Sequence, residues 1–248
     1  MKALVLDFDG VISDSAREAF AVALRTYAGL TPESTLEERD REALYEGFLE
    51  AMPLGNRAED FGTVLAALEQ GRPLPDQAAY DTFRAERGAD WLERYHQHFY
   101  EVRTAMFEED PAGWRGLMRS YGPFLDTLRR RAGTVPYAIA TAKDRRSVDA
   151  LLANYGVAEL FAPELIQDKE AGPDKSRHLE LLADTLNLPF PEMTFVDDKV
   201  NHLDAVAALG VRGALATWGY NGPREHRLAG ERGYLLLSFD NAAQSLFG

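Results

Sequence analysis

The chain has 248 residues, 46% hydrophobic and 27% charged, ordinary values for a soluble globular protein with room for one large core, or a core and a smaller domain. A formal net charge of −13 argues against a general binder of nucleic acid or of anionic membrane, which would need a basic surface. With no cysteine, disulfides, thiolate catalysis and Cys-ligated zinc are excluded, and a cytoplasmic location is expected.

An anionic small substrate stays compatible, because a bound cation and a few local Lys or Arg residues reverse the field. A strand is expected within three residues of the start, so no secretory signal is expected there. No apolar run approaches the length that spans a bilayer.

Lys2 to Leu6 reads as a buried strand, and Asp7, Asp9 and Gly10 follow it at once. Alternate strand residues share a face, so the spacing predicts two carboxylates pointing the same way at a sheet rim. Two such acids raise each other's pKa, and burial adds to the cost. A divalent cation would relieve it, and hard oxygen ligands suit Mg²⁺. A surface turn with two solvated acids is the other reading of this stretch alone.

Residues 16–29 read as a helix stopped by Gly29. Thr31-Pro32 reads as the start of a second, carrying Leu36, Leu44, Phe48 and Leu49 and ending before Pro53. After the loop Met52–Arg57, helices are expected over 58–70 and over 76–108, the latter broken near Gly88. Trp91, Tyr95, Phe99, Val102 and Met106 recur at spacings of 4, 4, 3 and 4, a single apolar stripe that reads as core. His96 and His98 lie off the stripe and read as surface residues; without a third His or Cys nearby they make no zinc site.

Asp110-Pro111-Ala112-Gly113 is a breaker cluster that ends this helical block. Strands and helices then alternate. A helix with Leu125 and Leu128 precedes a strand over 135–140 that ends in Thr141. A helix over 144–155, a short strand within 160–166 limited by Pro163, and a helix over 175–186 follow. Next come a strand over 193–196 ending in Asp197-Asp198, a helix over 201–209, and strands over 214–217 and 234–237. This order predicts an α/β fold: a Rossmann-like parallel sheet core with helices on both faces.

Sites in open parallel sheets gather at the carboxyl ends of the strands. Those ends carry Asp7 and Asp9, then Thr141, then Asp197 and Asp198, with Lys175 at a helix start between. Carboxylates, a hydroxyl and an ammonium suit a phosphoryl group held by a metal.

Here the sequence resembles the haloacid dehalogenase-like hydrolases. Asp7-Phe8-Asp9-Gly10-Val11-Ile12-Ser13-Asp14-Ser15 is similar to the family's first motif, and Tyr137 to Thr141 to its second. Lys175 matches the third, and Phe195-Val196-Asp197-Asp198 the fourth. Tyr121-Gly122-Pro123 and Trp218-Gly219-Tyr220 support the match.

The resemblance implies an all-α cap domain at 16–114 and a catalytic core of 1–15 and 115–248. It implies a Mg²⁺-dependent phosphatase acting on a small phosphorylated metabolite. Asp7 would be the nucleophile, and Asp9 the acid and then the base. Thr141 with Ala142, and Lys175, would hold the phosphoryl oxygens. Asp7, the backbone carbonyl of Asp9 and the fourth-motif acids would hold the metal, with Asp198 preferred as direct ligand and Asp197 close behind. An Asp at position 9 favours phosphoester over carbon–halogen chemistry. A phosphomutase of the β-phosphoglucomutase kind uses the same acids, and a non-catalytic binding protein is the third alternative.

Lys175 is preferred to Lys169 as the phosphate lysine because it starts a helix 22 residues before Asp197, although the Pro-x-Pro that often follows the family's lysine is absent. Lys143 reads either as a substrate contact or as a helix-start surface lysine. Gly55-Asn56-Arg57 resembles a cap substrate loop, and Arg57 reads either as a second anion contact or as an exposed helix-start Arg.

Overall fold

Ala3, Leu4, Val5 and Leu6 are all fully buried. Four consecutive buried side chains this close to a turn suit a short strand paired on both edges and covered on both faces. A computed structural model describes residues 1–55, 57–172 and 174–248. Its backbone runs through β1 (Ala3–Leu6) and β2 (Ser13–Asp14) into helices α1 (Ala16–Leu30), α2 (Arg41–Ala51), α3 (Ala58–Glu69), α4 (Gln77–Arg87), α5 (Ala89–Glu109) and α6 (Pro111–Gly116). Then follow β3 (Arg119–Ser120), α7 (Gly122–Arg130), β4 (Tyr137–Ala140), α8 (Arg145–Asn154), β5 (Phe161–Gln167), α9 (Lys175–Leu186) and β6 (Met193–Asp197). The chain closes with α10 (Val200–Ala207), β7 (Arg212–Ala216), α11 (Pro223–Glu231), β8 (Leu235–Leu237) and α12 (Ala242–Phe247).

The chain divides into two compact units, residues 1–14 with 119–248, and residues 15–118. The first unit holds a six-stranded sheet of order β5-β4-β1-β6-β7-β8, parallel throughout. The strand order reverses between β1 and β6, which makes their carboxyl ends the switch point where ligands bind in such sheets. Crossovers leave this point in opposite directions, and the general right-handedness of such connections puts their helices on opposite faces. Ala3 and Val5 of β1 pack with Leu179 and Leu182 of α9 and Val200, Leu203 and Val206 around α10. The antiparallel ribbon β2–β3 carries the chain out of this unit and back into it.

The second unit is all helix among its described residues. Phe48, Phe61 and Phe99 pack in a row with tilted rings, the centroids 5.6 and 5.8 Å apart. A Cβ at Gly62 would lie 2.5 Å from the Tyr95 ring, so glycine lets α3 approach α5 there. Tyr95, Phe99 and Val102 of the predicted stripe are buried, and the Tyr95 hydroxyl donates to the Ala23 carbonyl at 2.7 Å. Glu18 is fully buried near the start of α1. Its carboxylate accepts from Arg103 Nε and NH2 at 2.7 and 2.8 Å and from Trp114 Nε1 at 3.1 Å. One acid thus ties together the helices nearest both ends of the unit.

Several expected boundaries move, for local reasons. The helix expected from Thr31 starts at Arg41, because Asp40 caps it by accepting from the Ala43 N–H, while the Glu69 carboxylate holds Ser34 and Thr35 in a turn. The Asp110–Gly113 breaker is itself a helix start: Asp110 accepts from the Gly113 N–H and Pro111 occupies the first position of α6. The break at Gly88 has φ +78, which glycine tolerates. Pro163 does not end β5, which runs on through a register shift to Gln167. The ribbon β2–β3 and the helices α11 and α12 are not anticipated in the sequence: the two strands have two residues each, α12 has six, and Ala229 is the buried residue of α11. No helix among the described residues is long and apolar enough to cross a membrane.

Arg103→Ala should leave the buried Glu18 carboxylate without its ion partner and lower stability by about 3 kcal/mol, read from urea unfolding. A loss below about 1 kcal/mol would show that Glu18 is otherwise satisfied.

Candidate active site

β1 ends at Leu6, so Asp7 and Asp9 do not share a continuing strand face as the spacing predicts. The Asp7 N–H still donates to the Val196 carbonyl at 2.9 Å and keeps the backbone in register with β6 for one more residue. The chain then curls, with the Ile12 and Ser13 N–H groups both donating to the Phe8 carbonyl at 2.9 Å. Gly10 takes φ +85 in this curl. A Cβ there would lie 2.3 Å from Asp198 Oδ2, and one at Gly219 would lie 2.3 Å from Asp198 Cβ. The two glycines therefore let two loops close around one carboxylate.

The two acids have different partners. Asp7 is buried, and its Oδ1 accepts from the Phe8 N–H at 2.7 Å and from Lys175 Nζ at 2.7 Å. Asp9 has a side chain 34% exposed and pairs with Lys143 Nζ at 3.1 Å, a lysine whose side chain is 1% exposed. Lys143 is thus a buried ion partner and not a surface lysine. Its backbone N–H donates to Thr141 Oγ1 at 3.1 Å, and Thr141 is itself buried. Ala142 between them is exposed.

Lys175 sits at the first position of α9 and reaches back to three acceptors. Nζ lies 2.7 Å from the Ala140 carbonyl, 2.7 Å from Asp7 and 3.4 Å from Asp197 Oδ2. Burial alone would lower its pKa, but the Asp7 and Asp197 carboxylates outweigh that and raise it. The Lys169 side chain is 41% exposed, 3.8 Å from Glu170, while its backbone N–H donates to the Lys143 carbonyl at 3.2 Å.

Asp197 is fully buried; burial opposes its ionisation, yet His202 and Lys175 hold its carboxyl well below the usual range. Its oxygens also accept from the Lys199 N–H at 2.9 Å and face His202 Nδ1 at 3.0 and 3.1 Å. Asp198 behaves oppositely. Burial and then the Asp197 charge push its carboxyl up. Asp198 Oδ2 accepts from the Tyr220 N–H at 2.8 Å, while Oδ1 is sealed from solvent with no hydrogen-bond partner. Asn221 Nδ2 donates to the Asp198 backbone carbonyl at 2.9 Å and fixes the loop.

A buried carboxylate oxygen without a donor suits a cation. Ligand atoms of Asp7, Asp197 and His202 also lie within 4.8 Å of one another, the one such group among the described residues. The donor set therefore fits a divalent cation. His202 and Asn221 are not singled out in the sequence, and Tyr220 enters there only as part of Trp218-Gly219-Tyr220. A histidine five residues after an acid is a weak signal until α10 folds it back.

Trp218 packs between Phe124 and Phe239, with centroids 4.8 Å from each, and its Nε1 donates to the Val11 carbonyl at 3.2 Å. Arg57 belongs to the helical unit, where it is exposed and its backbone N–H donates to Asp60 Oδ2 at 2.9 Å. Asn56 beside it lies outside the described residues. His96 and His98 are half-buried rather than fully at the surface, paired with Glu59 at 2.7 Å and Glu101 at 3.0 Å.

Fold and site define an α/β protein whose acids and lysine meet at the carboxyl edge of a parallel sheet. The haloacid dehalogenase-like hydrolase family matches residues 1–210, and the chain belongs to that family. It is 27% identical over 225 residues to the tyrosine-protein kinase PtkA of Mycobacterium tuberculosis, an alignment covering 88% of this chain and 62% of that protein's length. It is 23% identical over 230 residues to the N-acetylmuramic acid 6-phosphate phosphatase of Pseudomonas putida, covering 91% and 87%. Among solved structures, a haloacid dehalogenase-like family protein of Streptococcus pneumoniae superposes with a TM-score of 0.70 at 16% identity, covering 99% and 98% of the two chains. A predicted phosphoglycolate phosphatase of Haemophilus somnus does so with 0.66 at 18%, covering 99% and 97%.

Burial first of all pushes the Asp7 carboxyl from 3.8 up to about 6, against the opposing pull of Lys175. Between these values the folded chain keeps a proton that the unfolded chain has lost. Stability from neutral Asp7 is thus complete below 3.8 and is lost as pH rises to about 6. In chelator-treated protein, Asp7→Asn should remove this fall across pH 4–6, read as a flatter dependence of the urea midpoint. Parallel curves for wild type and variant would contradict the shift.

Proposed function

We propose that the protein is a Mg²⁺-dependent phosphatase that hydrolyses the phosphomonoester of a small metabolite. The observation that carries this reading is the separate pairing of the two acids, Asp7 with the buried Lys175 and Asp9 with Lys143. Two carboxylates in unlike environments suit unlike tasks, one nucleophilic and one exchanging protons. The phosphatase name of the Pseudomonas putida relative supports the same class.

In this mechanism a free Asp7 oxygen attacks phosphorus as the ester P–O bond breaks, giving an aspartyl-phosphate. Asp9 gives its proton to the leaving oxygen. It then takes a proton from the water that attacks phosphorus and frees Asp7 with release of phosphate. Lys175 neutralises charge on Asp7 and on the transferring oxygens, and the Thr141 hydroxyl and Ala142 backbone N–H orient them. Lys143 holds Asp9 in place before substrate binds.

Asp7, the backbone carbonyl of Asp9, Asp197 and Asp198 would hold the Mg²⁺. When bound, it supplies positive charge that lets the Asp7 carboxylate and an anionic phosphate approach. The helical unit of residues 15–118 is the proposed cap.

With p-nitrophenyl phosphate and Mg²⁺, Asp7→Asn should reduce turnover to background, and Asp9→Asn by roughly 10²–10⁴-fold. Chelation should abolish turnover and added Mg²⁺ restore it. Retained activity in Asp7→Asn would end the proposed mechanism. Sugar-phosphate isomerisation without phosphate release would identify a mutase instead.

A further inference from the structure

His202 has no place in the mechanism above, yet it is the imidazole that meets the acid cluster. It sits in the first turn of α10, with Nδ1 3.0 Å from Asp197 Oδ2 and 3.1 Å from Oδ1. Its side chain is 21% exposed while Asp197 is sealed. One ligand atom each from Asp7, Asp197 and His202 lie within 4.8 Å of one another. Donors about 2.1 Å from one ion are separated by at most about 4.2 Å, so a small adjustment brings all three around a single cation.

Asp198 stands outside that group of three but carries a second, independent sign of a ligand at the same sheet edge. Asp198 Oδ1, one residue on from Asp197, is buried and has no hydrogen-bond partner. It lies 2.8 Å from where a Gly10 Cβ would stand, three residues along the chain from Asp7. Lys175 compensates Asp7 and Asp197 but makes no ion pair with Asp198.

Resting on the reading that this cluster binds a cation, we infer that His202 is a direct nitrogen ligand and biases the site towards a borderline transition cation over Mg²⁺. The reason lies in ligand chemistry. Mg²⁺ favours carboxylate, carbonyl and water oxygens, whereas imidazole suits Fe²⁺, Co²⁺, Ni²⁺ and Zn²⁺. An all-oxygen site gives little of that bias; one imidazole adds to it. The competing role for His202 is a hydrogen bond that orients Asp197 from outside the coordination sphere. That role changes the carboxylate's orientation and basicity but supplies no nitrogen donor, so its loss shifts the Co²⁺-to-Mg²⁺ affinity ratio far less than the loss of an imidazole ligand.

The experiment measures Co²⁺ and Mg²⁺ affinities by titration calorimetry on the metal-free full chain, for wild type, His202→Asn and Asp198→Asn. A ligating His202 gives a Co²⁺-over-Mg²⁺ preference that falls at least tenfold in His202→Asn. Proton NMR of the Co²⁺-loaded wild type should also show an exchangeable, strongly hyperfine-shifted imidazole N–H that disappears in that variant. This second readout needs only wild-type protein to bind the ion. An unchanged affinity ratio, or no shifted imidazole signal in Co²⁺-loaded wild type, overturns the inference while leaving a cation site in place. Failure of wild type to bind either cation overturns the underlying reading itself.

Discussion

Asp7, Asp197 and Asp198 bring three carboxyl groups, shielded from solvent, to neighbouring ends of β1 and β6. Such a cluster stands only if positive charge or protons compensate it. Lys175 supplies part of the charge, hydrogen-bonding to Asp7 and to the Ala140 carbonyl from the first position of α9. Asp7 and Asp198 take up part of the strain by holding their protons more tightly, while Asp197 stays ionised beside His202 and Lys175. The result is a cluster of unlike acids made from like residues, and the difference comes from their neighbours.

The parallel sheet makes this clustering possible. Its strands all end at one edge, so residues far apart in sequence converge without long loops. Asp7 and Thr141 extend the hydrogen bonding of β1 and β4 by one residue past the strand ends, donating to Val196 and Gln167. Asp9 lies beyond that reach, in the curl around Gly10, and so meets Lys143 and solvent instead of Lys175. A strand two residues longer would have placed both acids in one environment. The end of β1 at Leu6 therefore separates a buried carboxyl from a half-exposed one.

The helical unit meets its own electrostatic cost by a different route. Glu18 is fully buried but receives three donors from Arg103 and Trp114, so it needs no ion from solution. That contrast is informative. Where this chain buries a carboxylate for structure, it surrounds it with donors; Asp198 Oδ1 has none. An acid left incomplete in a fold that elsewhere completes its acids reads as a place reserved for a ligand.

Read alone, the sequence carries the order of the longer elements, the parallel α/β class and the acids at the strand ends. Apolar runs, breaker residues and carboxylates each act over a few residues and so are legible locally. Helix starts at Asp40 and Asp110 were harder, because a capping side chain competes with nearby Thr and Pro signals that read equally well. The choice of Lys175 over Lys169 as the partner of Asp7 was decided in three dimensions. Both lie in or just after the same loop, and only one is carried by α9 to within 2.7 Å of the acid. His202 and Lys143 belong to the same class of outcome. Each gains its partner by a fold of the backbone at the sheet edge, across 5 residues for His202–Asp197 and 134 for Lys143–Asp9. Charge pairing falls off steeply with distance, and tertiary packing alone set those distances.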